Sequence, residues 1–442
     1  METGNLVVED RTLGRFLVHR SVHTDPAILA LESERIFDRS WLYVGHESEI
    51  PNPGDFHTRE VGGRPLLFCR DSDGKPRVLF NTCTHRGAQV CRERSGNARS
   101  FQCFYHAWTF NTRGELIGVP DAGGYGEAFR RDELGLKQPA RVEAYRGLVF
   151  LSFDRNIVPL TEWLAGAREV LDVILDQGEQ GMEVVRGTHE YSVRANWKLI
   201  AENSTDHGHG MPTHQTYFNL YLPAVGVELR GLPREFQCMS LGNGHAVMEY
   251  ALPWGRPVAQ WLPRWGEQSR VEIEAARQRL VERWGEPRAR RIAELNRNLV
   301  IYPNLVINDI MAVVIRTFHP CAVDRMNVTA WTIAPIGEQR QSRARRLDNF
   351  LTFLGPGGLA TPDDNEAMEA CQRGYRAAGE VQWSELSHGM ADRHGDIADD
   401  ETLRAWWRRW AEQMAPAPAS RRRLKRTRRP SAVDSKSYSP FF

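Results

Sequence analysis

No apolar run in this 442-residue chain approaches the ~20 residues that a membrane-spanning helix needs. The N-terminal stretch Met1 to Leu6 lacks a basic segment followed by an apolar one, so no secretory signal is expected there. Neither sign of charge is in excess: the net charge is +1, which gives no global attraction to nucleic acid or to a membrane surface. No Gly-x-Gly-x-x-Gly follows a strand-like run, so the chain has no dinucleotide site of its own. Internal repeats are absent. Cysteines are few and scattered: seven, at 69, 83, 91, 103, 238, 321 and 371, an odd set without the spacing of a disulfide framework. Reduced thiols and no export signal lead to the expectation of a cytoplasmic protein. What is present is ordinary for a globular chain of two or three domains, with 41% hydrophobic and 26% charged residues.

Two Cys-His pairs stand out. Cys83-Thr84-His85 is followed, after residues 86–102, by Cys103-Phe104-Tyr105-His106. Each pair follows a short buried run, Val78 to Phe80 and Phe101 to Gln102, and Asn111 to Gly114 reads as a hairpin turn. Two hairpin loops pressed tip to tip present four ligands to one cluster. Two thiolates on one iron and two imidazoles on the other is the Rieske [2Fe-2S] arrangement. Zinc also takes two Cys and two His, but zinc fingers usually pair like with like, whereas each loop here carries one of each.

The turn-rich text from 41 to 155 indicates a small all-β domain holding both loops, closed by a strand at 146–153. Residues 1–40 read as a helical, peripheral part of the catalytic domain. Beyond 155 the period changes. A helix is expected over 161–177 with Thr161 as cap, a strand over 184–194, a helix over 197–205, and one or two amphipathic helices over 271–299. Strands are expected at 311–318 and 327–334, and helices at 342–354, from Thr361 (with Thr361 as cap), and at 401–414. The segment 415–442 reads as a disordered basic tail. The expected fold class is α+β: an all-β Rieske domain (41–155) and a catalytic domain (156–414) with an antiparallel sheet and surrounding helices.

A second cluster of metal-ligating residues lies at 202–214, where Glu202, Asn203, Asp206, His207, His209 and His214 crowd onto a helix broken by Gly208, Gly210 and Pro212. Two histidines and a carboxylate with open positions left over form the facial triad of non-haem Fe(II) oxygenases. The carboxylate must come from elsewhere, because Asp206 lies only one turn before His209. Asp363 and Asp364, after the Gly-rich loop 355–358, are the distant candidates.

Taken in order, these pieces resemble the large (α) subunit of Rieske non-haem iron aromatic-ring-hydroxylating oxygenases over roughly residues 35 to 414. The matching motifs are Cys-x-His-Arg-Gly (83–87), Cys-x-Tyr-His-x-Trp (103–108), Asn-Trp-Lys-x-x-x-Glu-Asn (196–203), Asp-x-x-His-x-x-x-x-His (206–214) and Gly-Pro-Gly-Gly-x-x-x-x-Asp-Asp (355–364). The resemblance implies that Cys83, His85, Cys103 and His106 hold the cluster and that His209, His214 and Asp364 hold the mononuclear iron. It makes Asn203 the residue beside the iron and Asp206 the acid bridging a cluster histidine of one subunit to an iron-ligand histidine of the next. His207 departs from the pattern, since an aromatic residue often stands there; the five-residue step to His214 favours His209 as the ligand.

The resemblance further implies a terminal oxygenase that cis-dihydroxylates an aromatic acid or hydrocarbon. Monooxygenation (ring hydroxylation or O-demethylation) is the same-fold alternative, and a pure Rieske electron carrier the alternative of another class. Implied partners are a ferredoxin and a flavin reductase drawing on NADH, further α subunits in a trimer, and a small β subunit (α3β3). An apolar pocket is expected from Leu220 to Leu222, Val306 to Asn308, and Phe353 with Leu354. Arg316 is placed near it, either clamping a substrate carboxylate or serving in a structural ion pair.

Overall fold

The apolar runs of the second half become one sheet. The computed structural model describes residues 6–227, 235–252, 256, 260–391 and 399–415. Its main sheet has eight strands: Met182–Val184 (β1), His189–Val193 (β2), Phe236–Gly242 (β3), His245–Ala251 (β4), Leu295–Ile301 (β5), Leu305–Asp309 (β6), Val313–Ala322 (β7) and Arg325–Pro335 (β8). All pairings are antiparallel, in the order β1-β8-β7-β6-β5-β4-β3, with β2 also paired to β8. Every residue of β6 is buried: Leu305 to Ile307 are aliphatic, and Asp309, which is not, is paired with Arg256 and Arg297.

Directly paired residues point to the same face. His189, Ala330 and Arg316 therefore make one row, and Asn298, Asn308, Val314 and Thr332 the next. On this face Val314 and Ala330 pack with Tyr217, Phe218, Phe353 and Leu354 in a separate apolar cluster. Val313, Ile315, Trp331 and Ile333, on the other face, join the main core.

Four helices hold the site against the sheet: Pro26–Arg35 (α1), Lys198–Thr205 (α2), Thr361–Gly374 (α3) and Glu401–Met414 (α4). The clamp is one carboxylate. Glu32 of α1 is wholly buried and accepts from Trp197 Nε1 (2.8 Å), Lys198 Nζ (2.7 Å) and Trp410 Nε1 (2.8 Å). Burial pulls the Lys198 ammonium down while Glu32 opposes that pull. Trp407 Nε1 donates to Glu202 (2.9 Å) and Thr402 Oγ1 to the Thr205 carbonyl (3.0 Å), so α2 is fixed along its length.

Between 42 and 152 the described structure is short strands, turns and three one-turn 3-10 helices (Glu47–Glu49, Ala122–Gly124 and Arg131–Leu134), with no α-helix. Three small antiparallel sheets are formed, and both Cys-His loops leave them.

Several expectations change. Residues 7–19 are an antiparallel hairpin, Val7–Asp10 with Arg15–His19, extended by Trp383–Glu385, and among the described residues of the N-terminal 40 the only α-helix is α1, flanked by short 3-10 turns at Arg20–His23 and Phe37–Arg39. Asp10 Oδ1 takes the Thr12 and Leu13 N–H groups and Gly14 turns at φ +61°, which closes a hairpin locally. The strand expected at 184–194 is split into β1 and β2 around Gly187 at φ +111°. The helix expected over 161–177 is two, Leu160–Trp163 and Ala167–Leu175, interrupted at Ala165 (φ +45°), and Thr161 lies inside the first rather than capping it. Residues 295–299 belong to β5, where Leu295, Leu299 and their neighbours pair with β4 and β6. Thr361 is the first residue of α3; its hydroxyl donates to the Leu354 carbonyl (2.9 Å) instead of capping. The tail expectation, from 416 on, lies outside the described residues.

Candidate functional site

Two loops of one design carry the first ligand set. Cys83 N–H donates to the Ala88 carbonyl (2.8 Å) and Gly87 N–H to the Cys83 carbonyl (2.9 Å). In the second loop Cys103 N–H donates to the Trp108 carbonyl (2.8 Å) and Ala107 N–H to the Cys103 carbonyl (2.9 Å). Both loops pass through the left-handed region at the same point, Gly87 at φ +79° and Ala107 at φ +56°. The two cysteines are buried, and the His85 and His106 rings meet edge to face with centroids 4.6 Å apart. His85 also stacks on Trp108 at 4.7 Å.

Burial pushes the Cys83 thiol up, and the Cys103 thiol beside it adds to the push. His85 Nδ1 is buried without a hydrogen-bond partner. Two adjacent thiols, two adjacent imidazoles and an unsatisfied ring nitrogen are the donor set of a Rieske cluster. The rim is open: Phe104 and Tyr105 are 60% and 52% exposed, with Arg92 and Arg86 over their rings.

The second ligand set forms where α2 stops. Asp206 is extended (ψ 121°) and takes the Gly208 N–H on Oδ1 at 2.7 Å. One helical turn, Gly210–Thr213, follows and brings His209 and His214 together with ring centroids 5.4 Å apart. From the other side, the loop before α3 doubles back so tightly that a Cβ on Gly358 would come 2.7 Å from the Phe353 carbonyl. That reversal turns the first residues of α3 toward α2.

The three side chains converge. His209 Nε2 and His214 Nε2 lie 3.4 and 3.3 Å from the same oxygen, Asp364 Oδ1. Asn203 Nδ2 donates to that oxygen at 3.0 Å. The far nitrogens face carboxylates as well: His209 Nδ1 is 3.4 Å from Asp206 Oδ2, and His214 Nδ1 is 3.4 Å from Asp363 Oδ2. Carboxylates behind imidazoles orient metal-binding histidines and raise their basicity. Burial raises the Asp364 carboxyl, but the two imidazoles outweigh it and hold the group well below the carboxylate range. Burial disfavours a charged His209, yet Asp206 and Asp364 lift it to about 10. A divalent cation among these atoms would displace that proton and satisfy all three side chains, so the residues fit a mononuclear metal.

Of the two candidate acids, Asp364 meets both imidazoles and Asp363 stands behind His214. His207 turns elsewhere, its ring 5.9 Å from Phe236 and 5.7 Å from His388. Phe218 and Phe353 flank His214 at 6.4 and 6.1 Å. The expected lining is partly right: Leu222, Phe353 and Leu354 belong to this apolar cluster, Tyr221 packs against it, and Asn308 is on the same sheet face. Leu220 is instead exposed, and Val306 and Ile307 sit in the main core. Arg316 is buried and donates to Ser204 Oγ (3.3 Å), with no carboxylate in ion-pair contact among the described residues. Sequence reasoning missed Asp363 as the partner of His214, Tyr217 as cluster lining, and Glu32 as the clamp.

Residues 40–138 match the family described as Rieske [2Fe-2S] domain, and residues 181–416 the family described as ring hydroxylating alpha subunit (catalytic domain). The toluate 1,2-dioxygenase α subunit of Pseudomonas putida is 37% identical, over 85% of this chain and 82% of its own. The 2-halobenzoate 1,2-dioxygenase large subunit of Burkholderia cepacia is 33% identical, over 87% and 82%. The solved structure of naphthalene 1,2-dioxygenase with indole bound superposes with a TM-score of 0.83 at 26% identity, covering 94% of this chain and 95% of the other. No described helix is long and apolar enough to cross a membrane.

Proposed function

Because this chain belongs to the ring-hydroxylating dioxygenase α subunits, we propose that His209, His214 and Asp364 hold its mononuclear iron, and Cys83, His85, Cys103 and His106 its Rieske cluster. The protein is a terminal oxygenase component that cis-dihydroxylates an aromatic ring. The balanced reaction takes the arene, O2, two electrons and two protons to the cis-dihydrodiol, with NADH as the ultimate electron source. When bound, the cluster supplies electrons one at a time and the iron supplies open coordination positions for O2.

The chain's own residues have distinct work. Asp363 fixes the ring orientation of His214 by accepting from its Nδ1, and Asp206 biases that of His209 by its charge, 3.4 Å from Nδ1. Asn203 donates to Asp364 Oδ1 and so limits that carboxylate to one direction. Phe218 and Phe353 keep the surroundings of His214 apolar, where an aromatic ring is favoured over water. Asp206, one-third exposed, also has a free side. In this reading it faces the His106 ring of a neighbouring subunit, so that electrons cross between chains. The assembly is then a ring of α subunits, α3β3 with a small β subunit, fed by a ferredoxin and a flavin reductase. A Rieske electron carrier has no use for the second domain, and a zinc site no use for the Rieske-type loops.

The observation that carries the iron assignment is the meeting of both Nε2 atoms on Asp364 Oδ1. Iron and acid-labile sulfide analysis tests it: about three irons and two sulfides per chain are expected, and about two irons for Asp364→Ala with an unchanged Rieske spectrum. An Asp364→Ala protein that keeps its third iron overturns the ligand set.

A further inference from the structure

The sheet face beneath the His209, His214 and Asp364 centre carries more polar atoms than the fold uses. Arg316 on β7 is 3% exposed; its Nη2 reaches Ser204 Oγ, and its Nε has no hydrogen-bond partner. Tyr191 on β2 lies against the same guanidinium, which opposes the upward push that burial gives its phenol, and its Oη is likewise unpartnered. One row along, Thr332 Oγ1 and Asn308 Oδ1 are buried and unpartnered.

Arg316 contrasts with the other buried guanidiniums of this domain. Arg256 and Arg297 share Asp309 at 2.7 and 2.9 Å, Arg297 also holds Glu249 at 2.7 Å, and Arg346 holds Glu338 at 2.8 Å. Each has its acid, whereas Arg316 has a hydroxyl. Burying a cation without a counter-ion is unfavourable, so a site that keeps one is complete only when an anion arrives. The position is also specific. Ser204 follows Asn203, whose amide holds Asp364, and Val314 and Ala330 beside Arg316 pack with the phenylalanines that flank His214.

We propose that Arg316, with Tyr191 as a second donor, receives the carboxylate of an aromatic acid whose ring lies in the Phe218 and Phe353 cluster beside His214. The inference rests on reading that centre as the oxygenation site. A guanidinium offers paired N–H groups that match a carboxylate. The anchored ring is held by its acid end, and the carbon atoms next to that end are presented to the centre. The acid substrates named for the two relatives, toluate and 2-halobenzoate, belong to the same chemical class.

The test compares equilibrium binding of benzoate and nitrobenzene, a planar isostere without net charge, to the iron-loaded protein. Wild type is expected to bind benzoate more tightly. Arg316→Gln weakens benzoate roughly 10- to 100-fold and leaves nitrobenzene within about twofold, as expected for loss of charge-assisted hydrogen bonds. Arg316→Lys and Tyr191→Phe give smaller losses, again for benzoate alone. Equal weakening of both ligands, or loss of iron in Arg316→Gln, overturns the proposal and makes Arg316 the counter-charge of Asp364. Absence of a benzoate preference in wild type overturns it without any variant. Arg316-dependent benzoate binding with no oxygenated product from any ring leaves the anchor standing and removes the oxygenase reading beneath it.

Discussion

At Asp364 one carboxylate oxygen serves two imidazoles and an amide, and the neighbouring Asp363 serves a different atom. Adjacent acids on a helix point about 100° apart, so only one of them can reach both Nε2 atoms while the other passes behind His214. The two substitutions therefore separate. Asp364→Ala is expected to abolish mononuclear iron binding, because two imidazoles alone hold a labile divalent iron poorly. Asp363→Ala keeps the ligands and loses only orientation, with iron affinity down about 10- to 100-fold; iron titration monitored by retained metal after desalting distinguishes them. In the other domain Cys83→Ala removes a thiolate for which alanine offers nothing, so the visible and reduced EPR spectra of the cluster disappear while the catalytic domain still takes up iron.

At the scale of elements, α2 ends at the right place because three other helices hold it there. Glu32 is the common partner of Lys198, Trp197 and Trp410. Removing its charge strands a buried ammonium, so Glu32→Gln is expected to cost about 3–5 kcal/mol in stability, read as a lowered midpoint in denaturant unfolding. Nothing near Glu32 in the sequence announces this; it reads as one acid on a polar helix, and its partners lie 165 to 378 residues away. The cluster loops were legible for the opposite reason: ligand, turn and flanking strand all fall within a few residues, so spacing alone carries the geometry. The long helices and the central strands were legible from their periods. The N-terminal hairpin was not, because its apolar alternation is short and its third strand comes from Trp383–Glu385. The break at Ala165 was hidden too, since Gly166 is held by the Leu241 carbonyl on a distant strand. The residues alone leave Asp363 and Asp364 open, and the choice of Asp364 comes from the resemblance, through its distance from the Gly-Pro loop; the reversal at Gly358 that brings it to both imidazoles is encoded in no periodicity.

For the molecule as a whole, acid stability and electron flow follow from groups far from any ligand as well as near them. His245 is fully buried and neutral, accepting the Tyr302 N–H at Nδ1 (3.0 Å) and donating from Nε2 to the Trp163 carbonyl (2.8 Å). Burial depresses it from 6.5 to about 4. The unfolded chain therefore binds this proton first as pH falls, so its contribution is complete above pH 6.5 and is lost progressively down to pH 4, by roughly 3 kcal/mol. Urea unfolding at stepped pH should show that slope, and His245→Gln should lessen it, the remainder coming from His319, which burial likewise depresses to about 4. Asp206→Asn keeps shape and both metal centres but loses the charge beside His209 that the proposed bridge would share with a neighbouring His106, so the pre-reduced protein should assemble normally and pass its electron slowly. An unchanged single-turnover rate would reduce Asp206 to a surface acid and remove the link between subunits. An oxygenase of this kind puts both atoms of one O2 on one ring. Single turnover of the pre-reduced protein with benzoate under 18O2, followed by mass spectrometry, tests this directly: a cis-diol carrying two 18O atoms is expected, and a product with one 18O atom overturns the dioxygenase assignment.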